Sequence, residues 1–200
     1  MTVKGMQRAS LMLAAFLGSL ALGSTAFATS VDFSTASWAG ANGQASFTTH
    51  PSGIDLFANI GTLTVTPDGL GIIDDEITFG IEKLTVTFAA PVTLQQIVIT
   101  NLFPCEGVFG GCSPEQGTYS VNGGAVNAFA SAGPSGNLTI NLNIAGVSSI
   151  DFRSNFDLYS DYSVKGLTFS TPEPSSLLLI GFTMMFLALS IRRLSYSRFS

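Results

Sequence analysis

Residues 137–144 read NLTINLNI, in which polar and aliphatic side chains alternate without interruption. Successive side chains of a β-strand point to opposite faces, so this period of two predicts a strand with one buried and one solvated face. The same period recurs in TLTVT at 62–66 and in KLTVTF at 83–88. The sequence therefore indicates an all-β protein.

Other short segments rich in β-branched and aromatic residues extend this pattern along the chain. These strand candidates are 45–49, 55–60, 76–80, 94–101, 118–122, 126–130, 149–153 and 163–170. Glycine, proline, asparagine and aspartate separate the candidates, and no amphipathic helical period interrupts them. The arrangement predicts an antiparallel β-sandwich, jelly-roll-like, built from two packed sheets.

The N-terminus has the three parts of a secretory signal peptide. Two basic residues precede an apolar run at 11–22, and the small residues Ala26 and Ala28 follow it. These two alanines fit the A-x-A site that signal peptidase requires. An uncleaved membrane helix is the alternative, but the apolar run is short for a membrane span. Residues 1–28 are therefore predicted to be a signal peptide that is removed after Ala28.

A second apolar run occupies residues 177–191 and is followed by Arg192 and Arg193. As a helix these 15 residues extend about 22 Å, and snorkelling arginines lengthen their reach across the hydrocarbon core. The run is predicted to be a transmembrane helix. The positive-inside rule places the arginines in the cytoplasm and the preceding body outside. A plain C-terminal anchor is the alternative function of this helix.

The order of features at the C-terminus resembles the PEP-CTERM sorting signal of bacteria with a Gram-negative envelope. Pro172, Glu173 and Pro174 come first, and the short apolar helix and the arginine-rich end follow. The resemblance covers residues 172–200. It implies that an exosortase, a membrane cysteine peptidase, recognises the Pro-Glu-Pro segment and removes the helix and tail. The cargo would then reach the cell surface or the extracellular polymer.

The preceding body also resembles the domains of other PEP-CTERM cargo proteins. The matching segments are GLGI at 69–72, DDEI at 74–77, LTVTF at 84–88, VTL at 92–94 and YSVKGLTF at 162–169. This resemblance implies a small extracellular β-sandwich and brings no catalytic residues with it. The expected organisation is a signal peptide (1–28), an extracellular β-sandwich (29–171) and a sorting signal (172–200).

Composition narrows the function classes. The whole chain has a formal charge of −5, but residues 29–171 contain twelve acidic and three basic residues, a net charge of −9. This charge argues against a nucleic-acid partner and disfavours anionic polymers unless a cation bridges them. One histidine and two cysteines are too few for a Cys/His zinc site, an iron–sulfur cluster or a histidine-based triad. We expect a protein without enzymatic activity.

Cys105 and Cys112 are separated by six residues, three of which are glycine. In an exported protein an even number of cysteines predicts a disulfide, here closing a short loop. The chain-entropy relation gives such a loop about 2–3 kcal/mol of stabilisation.

The densest acidic group consists of Asp68, Asp74, Asp75 and Glu76. Carboxylate and carbonyl oxygens on a glycine-rich turn are the ligands that Ca²⁺ prefers, and a structural calcium ion is one interpretation. The spacing does not match an EF-hand loop. The alternative is a solvated turn whose charges also block edge-to-edge strand pairing.

Four aromatic residues are candidates for stacking on a sugar ring: Trp38, Tyr119, Tyr159 and Tyr162. For Trp38 an equally good alternative to sugar stacking is that its ring packs in the hydrophobic core. A specific carbohydrate-binding module is therefore the second hypothesis for function. Ice binding through threonine ladders at 62–66 and 85–87 is a third, although threonine is also a common filler of solvated strand faces.

The leading hypothesis is an exported, exosortase-processed protein of the cell surface or extracellular matrix, associated with exopolysaccharide in a biofilm and without catalytic activity. Its expected partners are signal peptidase, an exosortase, the membrane through residues 177–191 before processing, and exopolysaccharide.

Overall fold

Ten strands and one short 3-10 helix are found in the described part of the computed structural model. The described residues are 28–48, 52–78, 80–105, 113–155 and 160–171, together with Gly181 and Met185, which are helical. The strands are β1 Ala28–Asp32, β2 Ser46–Phe47, β3 Ile54–Ala58, β4 Leu63–Thr66, β5 Gly69–Ile72, β6 Leu84–Thr100, β7 Gln116–Val121, β8 Val126–Ala130, β9 Leu138–Ser154 and β10 Ser163–Ser170. The 3-10 helix spans Ala36–Ala41. All of them belong to the unit Phe27–Pro172, while Met1–Ala26 and Glu173–Ser200 group into a second unit.

Every strand pair is antiparallel, and all ten strands join one hydrogen-bonded sheet. The main path is β4-β5-β10-β6-β9-β7-β8; in addition β1 pairs β10, β3 pairs β6 and β2 pairs β3. The predicted all-β, antiparallel class is therefore confirmed. Within the described residues no helix is long and apolar enough to cross a membrane.

Two long strands, β6 and β9, curl the sheet over its own core. Residues 84–88 of β6 pair with β3 and with the end of β9, whereas residues 93–100 pair with β10 and with the start of β9. The β6–β9 register shifts between Thr87 and Val92. Pro91 lies within this shift, is exposed, and has no N–H to donate to a ladder. The prediction of two separate sheets is therefore wrong, because β6 and β9 run through both halves of one continuous sheet.

Alternate side chains of the two halves of β6 meet in one apolar cluster, which is why the sheet curls. The buried members from β6 are Leu84, Val86, Phe88, Val92, Leu94, Ile97 and Ile99. Val147, Ile150 and Phe152 of β9 join the same cluster. The hydrophobic effect thus selects the inward face that the period of two predicts.

Two strands were not predicted, and one prediction is wrong. β1 begins at Ala28, within the segment interpreted only as a cleavage site. β5 has the sequence GLGI, whose glycines have low strand propensity. A Cβ on Gly71 would lie 2.2 Å from the carbonyl carbon of Asp75, so only glycine fits this close approach. Of the predicted strand 76–80, the described residues 76–78 and Gly80 form no strand, although Ile77 is buried and donates its N–H to the Tyr162 carbonyl at 2.8 Å.

Candidate functional site

The ladder between β1 and β10 brings the two ends of the folded unit together. Ala28 is paired with Ser170, and the register continues to Asp32 opposite Gly166. Thr171, the next residue, is exposed. The predicted cleavage site and the predicted sorting signal therefore adjoin two neighbouring strands at the same end of their ladder.

Most residues of the predicted terminal signals lie outside the described residues. Those are Ala26 of the cleavage site and Pro172, Glu173, Pro174, Arg192 and Arg193 of the sorting signal. Ala28 is described and is the first residue of β1. The predicted membrane helix at 177–191 also lies outside, apart from Gly181 and Met185.

Three of the four aromatic side chains proposed for sugar stacking are buried. The exposed fractions of Trp38, Tyr119 and Tyr162 are 1%, 8% and 0%, so no ring face is available to a sugar, and the stacking prediction is wrong for these three. Tyr159 lies outside the described residues. Burial of a ring depends on tertiary packing, which a single sequence does not reveal.

Trp38 is instead the core anchor that the alternative interpretation predicts. It is carried by the 3-10 helix and packs edge-to-face against Phe33, with ring centroids 4.9 Å apart, and against Phe47 at 6.1 Å. Such pairs add about 0.5–1.5 kcal/mol beyond the area they bury. The helix therefore closes one side of the curled sheet with a large indole ring.

Phe129 of β8 connects the two buried tyrosines. Its ring stacks on Tyr119 at 6.5 Å and meets Tyr162 edge-to-face at 5.0 Å. Both the Phe129 and Tyr162 rings close over Gly117, where an added Cβ would lie 2.4 Å from Phe129 Cζ and 2.5 Å from Tyr162 Cε1. The Tyr162 hydroxyl is buried and has no hydrogen-bond partner among the described residues, and burial raises the pKa of Tyr162 well above 10.0.

The acidic residues proposed for calcium are not arranged as a metal site. Among the described residues, no group of three or more His, Cys, Asp and Glu is placed to hold a metal ion. Asp74 and Asp75 are exposed, and an Asp74 carboxylate oxygen accepts the Glu76 N–H at 3.2 Å. The Asp75 carbonyl accepts the Ser163 hydroxyl at 2.6 Å, and the Asp68 carbonyl accepts the Thr100 hydroxyl. The geometry matches the solvated-turn alternative.

Two buried carboxylates were not singled out from the sequence. Glu82 is 5% exposed and accepts the Thr78 N–H at 2.7 Å and the Thr78 hydroxyl at 3.2 Å. Loss of hydration raises the pKa of Glu82 above 4.5, and the charge of Asp74 adds to this, while the Thr78 hydrogen bonds oppose it. Glu115 is 1% exposed and accepts the Phe103 N–H. Both carboxylates bind the backbone of loops, a role that no short motif signals.

Two site predictions remain, the disulfide and the threonine ladders. Cys112 lies outside, so its disulfide with Cys105 stays a prediction; no free cysteine is found among the described residues. The threonine ladders lie on β4 and on the first half of β6, which are not neighbours in the sheet. Thr85 donates its hydroxyl to an Asp151 carboxylate oxygen at 2.6 Å.

An open depression of about 330 Å³ lies between the 3-10 helix and the β4–β5 turn. Its polar groups are engaged within the fold. The Thr35 hydroxyl donates to the Asp32 carbonyl at 2.9 Å, Asn42 Oδ1 accepts the Val65 N–H at 3.1 Å, and the Thr66 hydroxyl accepts a backbone N–H at 3.3 Å. None of the described residues that line the depression is aromatic.

Comparison with known proteins identifies the C-terminal segment. The family described as the PEP-CTERM protein-sorting motif matches residues 170–193, beginning at the last residue of β10. The chain has no significant match among curated proteins or among solved structures. The motif confirms the resemblance found in the sequence and implies export, recognition by an exosortase and membrane anchoring before release.

Proposed function

We propose that this PEP-CTERM protein, an exosortase substrate, serves after processing as a non-catalytic component of the cell surface or extracellular matrix, in association with exopolysaccharide. The motif at residues 170–193 carries the proposal. The all-β body supports it, because many cell-surface domains are built from packed antiparallel sheets. The two halves of the curled sheet would act as the two layers of the predicted sandwich.

Export would begin with removal of residues 1–28 by signal peptidase. The position of β1 supports this step: cleavage after Ala28 leaves Thr29 as the first residue, opposite Phe169 in the ladder. The new N-terminus would thus belong to an intact strand. Residues 177–191 would hold the cargo in the membrane until the exosortase acts.

A neutral polysaccharide is the preferred matrix partner. Twelve acidic and three basic residues between 29 and 171 give a charge of −9, which repels anionic polymers. A specific sugar-binding module is not favoured, because Trp38, Tyr119 and Tyr162 are buried. The association would depend on the polar outer faces of the sheet rather than on one pocket.

The test is expression of the full chain in a host with an exosortase and in the same host without it, followed by fractionation and mass spectrometry of the C-terminus. We expect a shortened, released protein in the first host and a membrane-bound chain ending at Ser200 in the second. Pro174→Ala should retain the membrane-bound form, whereas Pro134→Ala, at an exposed turn, should not. An intact Ser200 terminus in both hosts would refute processing.

Binding is tested separately by sedimenting the released protein with the host's purified exopolysaccharide. Co-sedimentation is expected, and a protein that remains entirely in the supernatant contradicts the association without affecting the sorting proposal.

A further inference from the structure

Among the described strands, the start of β9 is paired on one side only and forms an edge of the sheet. Residues 138–144 pair with β6 on one side, with a register shift between Asn141 and Ile144, and β7 pairs only with Ile150–Ser154 farther along β9. Within the described part of the chain, the other side of residues 138–147 has no strand partner. An edge of this kind presents unpaired backbone N–H and C=O groups and is a template for adding a strand.

The inward side chains along this edge are incompletely covered. Leu138, Ile140, Leu142 and Ile144 pack against the core but are only partly buried, whereas their β6 neighbour Ile97 is 0% exposed. These aliphatic side chains therefore remain partly exposed on the side where the described residues supply no neighbouring strand. One added strand would pair the edge and cover these aliphatic side chains.

The edge lacks the charges that usually block such pairing. Residues 116–150 contain no Asp, Glu, Lys, Arg or His, and this segment includes β7, β8 and most of β9. Folded proteins commonly protect long edges with charged residues or proline. The charge of −9 is carried by the rest of the body, so two copies approaching each other meet least repulsion along this uncharged side.

The sequence of the edge is complementary to itself. In an antiparallel pair centred on Asn141, Leu138 lies opposite Ile144, Thr139 opposite Asn143, and Ile140 opposite Leu142. Aliphatic residues thus meet aliphatic residues on one face, and polar residues meet polar residues on the other. A twofold axis requires this self-complementarity, because the same patch serves both subunits.

We propose that β9 is a homodimer interface, at which residues 138–144 of two copies pair antiparallel about Asn141 and continue the sheet from one copy into the next. The proposal concerns residues of β9, outside the sorting motif at 170–193, and does not depend on exosortase processing. Such pairing would link two copies of this protein directly, without a separate partner protein.

Cross-linking tests the pairing in the full chain exported by its host. Asn141 is its own partner across the axis, and paired Cα atoms lie about 4.5–5.5 Å apart, within the range that a disulfide spans. We expect Asn141→Cys to give a covalent dimer on a non-reducing gel. Ser37→Cys, exposed on the 3-10 helix, is the control and should remain monomeric.

A charge exchange tests the register. Thr139→Lys with Asn143→Lys places like charges opposite each other in both cross-copy pairs, and the dimer dissociation constant should rise about tenfold. Thr139→Lys with Asn143→Glu places opposite charges there and should restore dimerisation. Equal melting temperatures of the two variants show that folding is unchanged.

Equal association of both charge variants, absence of a dimer from the Asn141→Cys chain, or cross-linking of that chain to a different protein would each overturn the proposal.

Discussion

Ala28 and Ser170 face each other in the β1–β10 ladder. The chain thus enters and leaves its folded unit through neighbouring strands. The sorting motif begins at Ser170, the last residue of β10. β10 is paired with β1, which begins at Ala28 of the predicted signal-peptide cleavage site. Docking of β1 should therefore matter for the stability of the segment next to the motif.

The approach of β1 to Gly166 provides a test of this docking. A Cβ on Gly166 would lie 2.5 Å from the Val31 carbonyl oxygen, so Gly166→Ala must displace β1 or β10. We expect the free energy of unfolding to fall by about 1–3 kcal/mol, the usual effect of overpacking. Urea unfolding measures it. Gly133→Ala is the matched control, because nothing lies within 4 Å of its added Cβ, and equal stability of the two variants would contradict the expectation.

The Tyr162 hydroxyl predicts a stabilising substitution. It is buried, and the part of the chain that the structure describes offers it no hydrogen-bond partner; an unsatisfied buried polar group costs about 1–3 kcal/mol. Tyr162→Phe keeps the ring against Phe129 and removes this cost, so we expect the free energy of unfolding to rise by about 1 kcal/mol. Tyr119→Phe, at a tyrosine that is 8% exposed, serves as the comparison in the same thermal melts. A less stable Tyr162→Phe protein would mean that the hydroxyl has a partner in solution.

The fold was predictable where a local pattern reports burial, and unpredictable where contacts distant in sequence decide. The period of two located 83–88 and 137–144 correctly, because alternation directly records one buried face. It did not reveal that 83–88 continues through Pro91 into the next strand, since a bend interrupts the alternation. Nor did it reveal Gly71, whose need for glycine arises from contact with Asp75.

Of the candidate functional residues, only those of the C-terminal sorting motif were predictable from the sequence. Pro172, Glu173 and Pro174 with the following apolar run form a motif that is readable without a structure. Trp38 and Tyr162 carry no local mark that separates an exposed ring from a buried one. Their position in the core follows from which strands and loops pack over them.

Glu82 makes the stability of the body depend on pH. Its pKa is raised in the folded protein, chiefly by burial, so its contribution to stability is fully present below its unfolded value near 4.5 and is lost as pH rises through the folded value. Glu82→Gln keeps an oxygen for the Thr78 N–H and removes the buried charge. We expect the variant to match the natural protein at low pH and to become the more stable of the two as pH rises.

Unfolding by urea at a series of pH values measures this difference. Asp75→Asn removes an exposed carboxylate and controls for the change in net charge. A difference between Glu82→Gln and the natural protein that stays constant from acid to neutral pH would show that burial does not raise the pKa of Glu82.

The predicted disulfide between Cys105 and Cys112 should stabilise the protein without being required for its fold. Phe103 and Glu115, which flank the segment that contains the two cysteines, are joined by two hydrogen bonds. The Glu115 carboxylate accepts the Phe103 N–H, and the Glu115 N–H donates to the Phe103 carbonyl at 3.1 Å. Reduction, or Cys105→Ser with Cys112→Ser, should therefore leave the fold intact and lower the free energy of unfolding by about 2–3 kcal/mol. Mass spectrometry after alkylation, with and without prior reduction, determines the pairing, and modification of both thiols in the unreduced protein would contradict it.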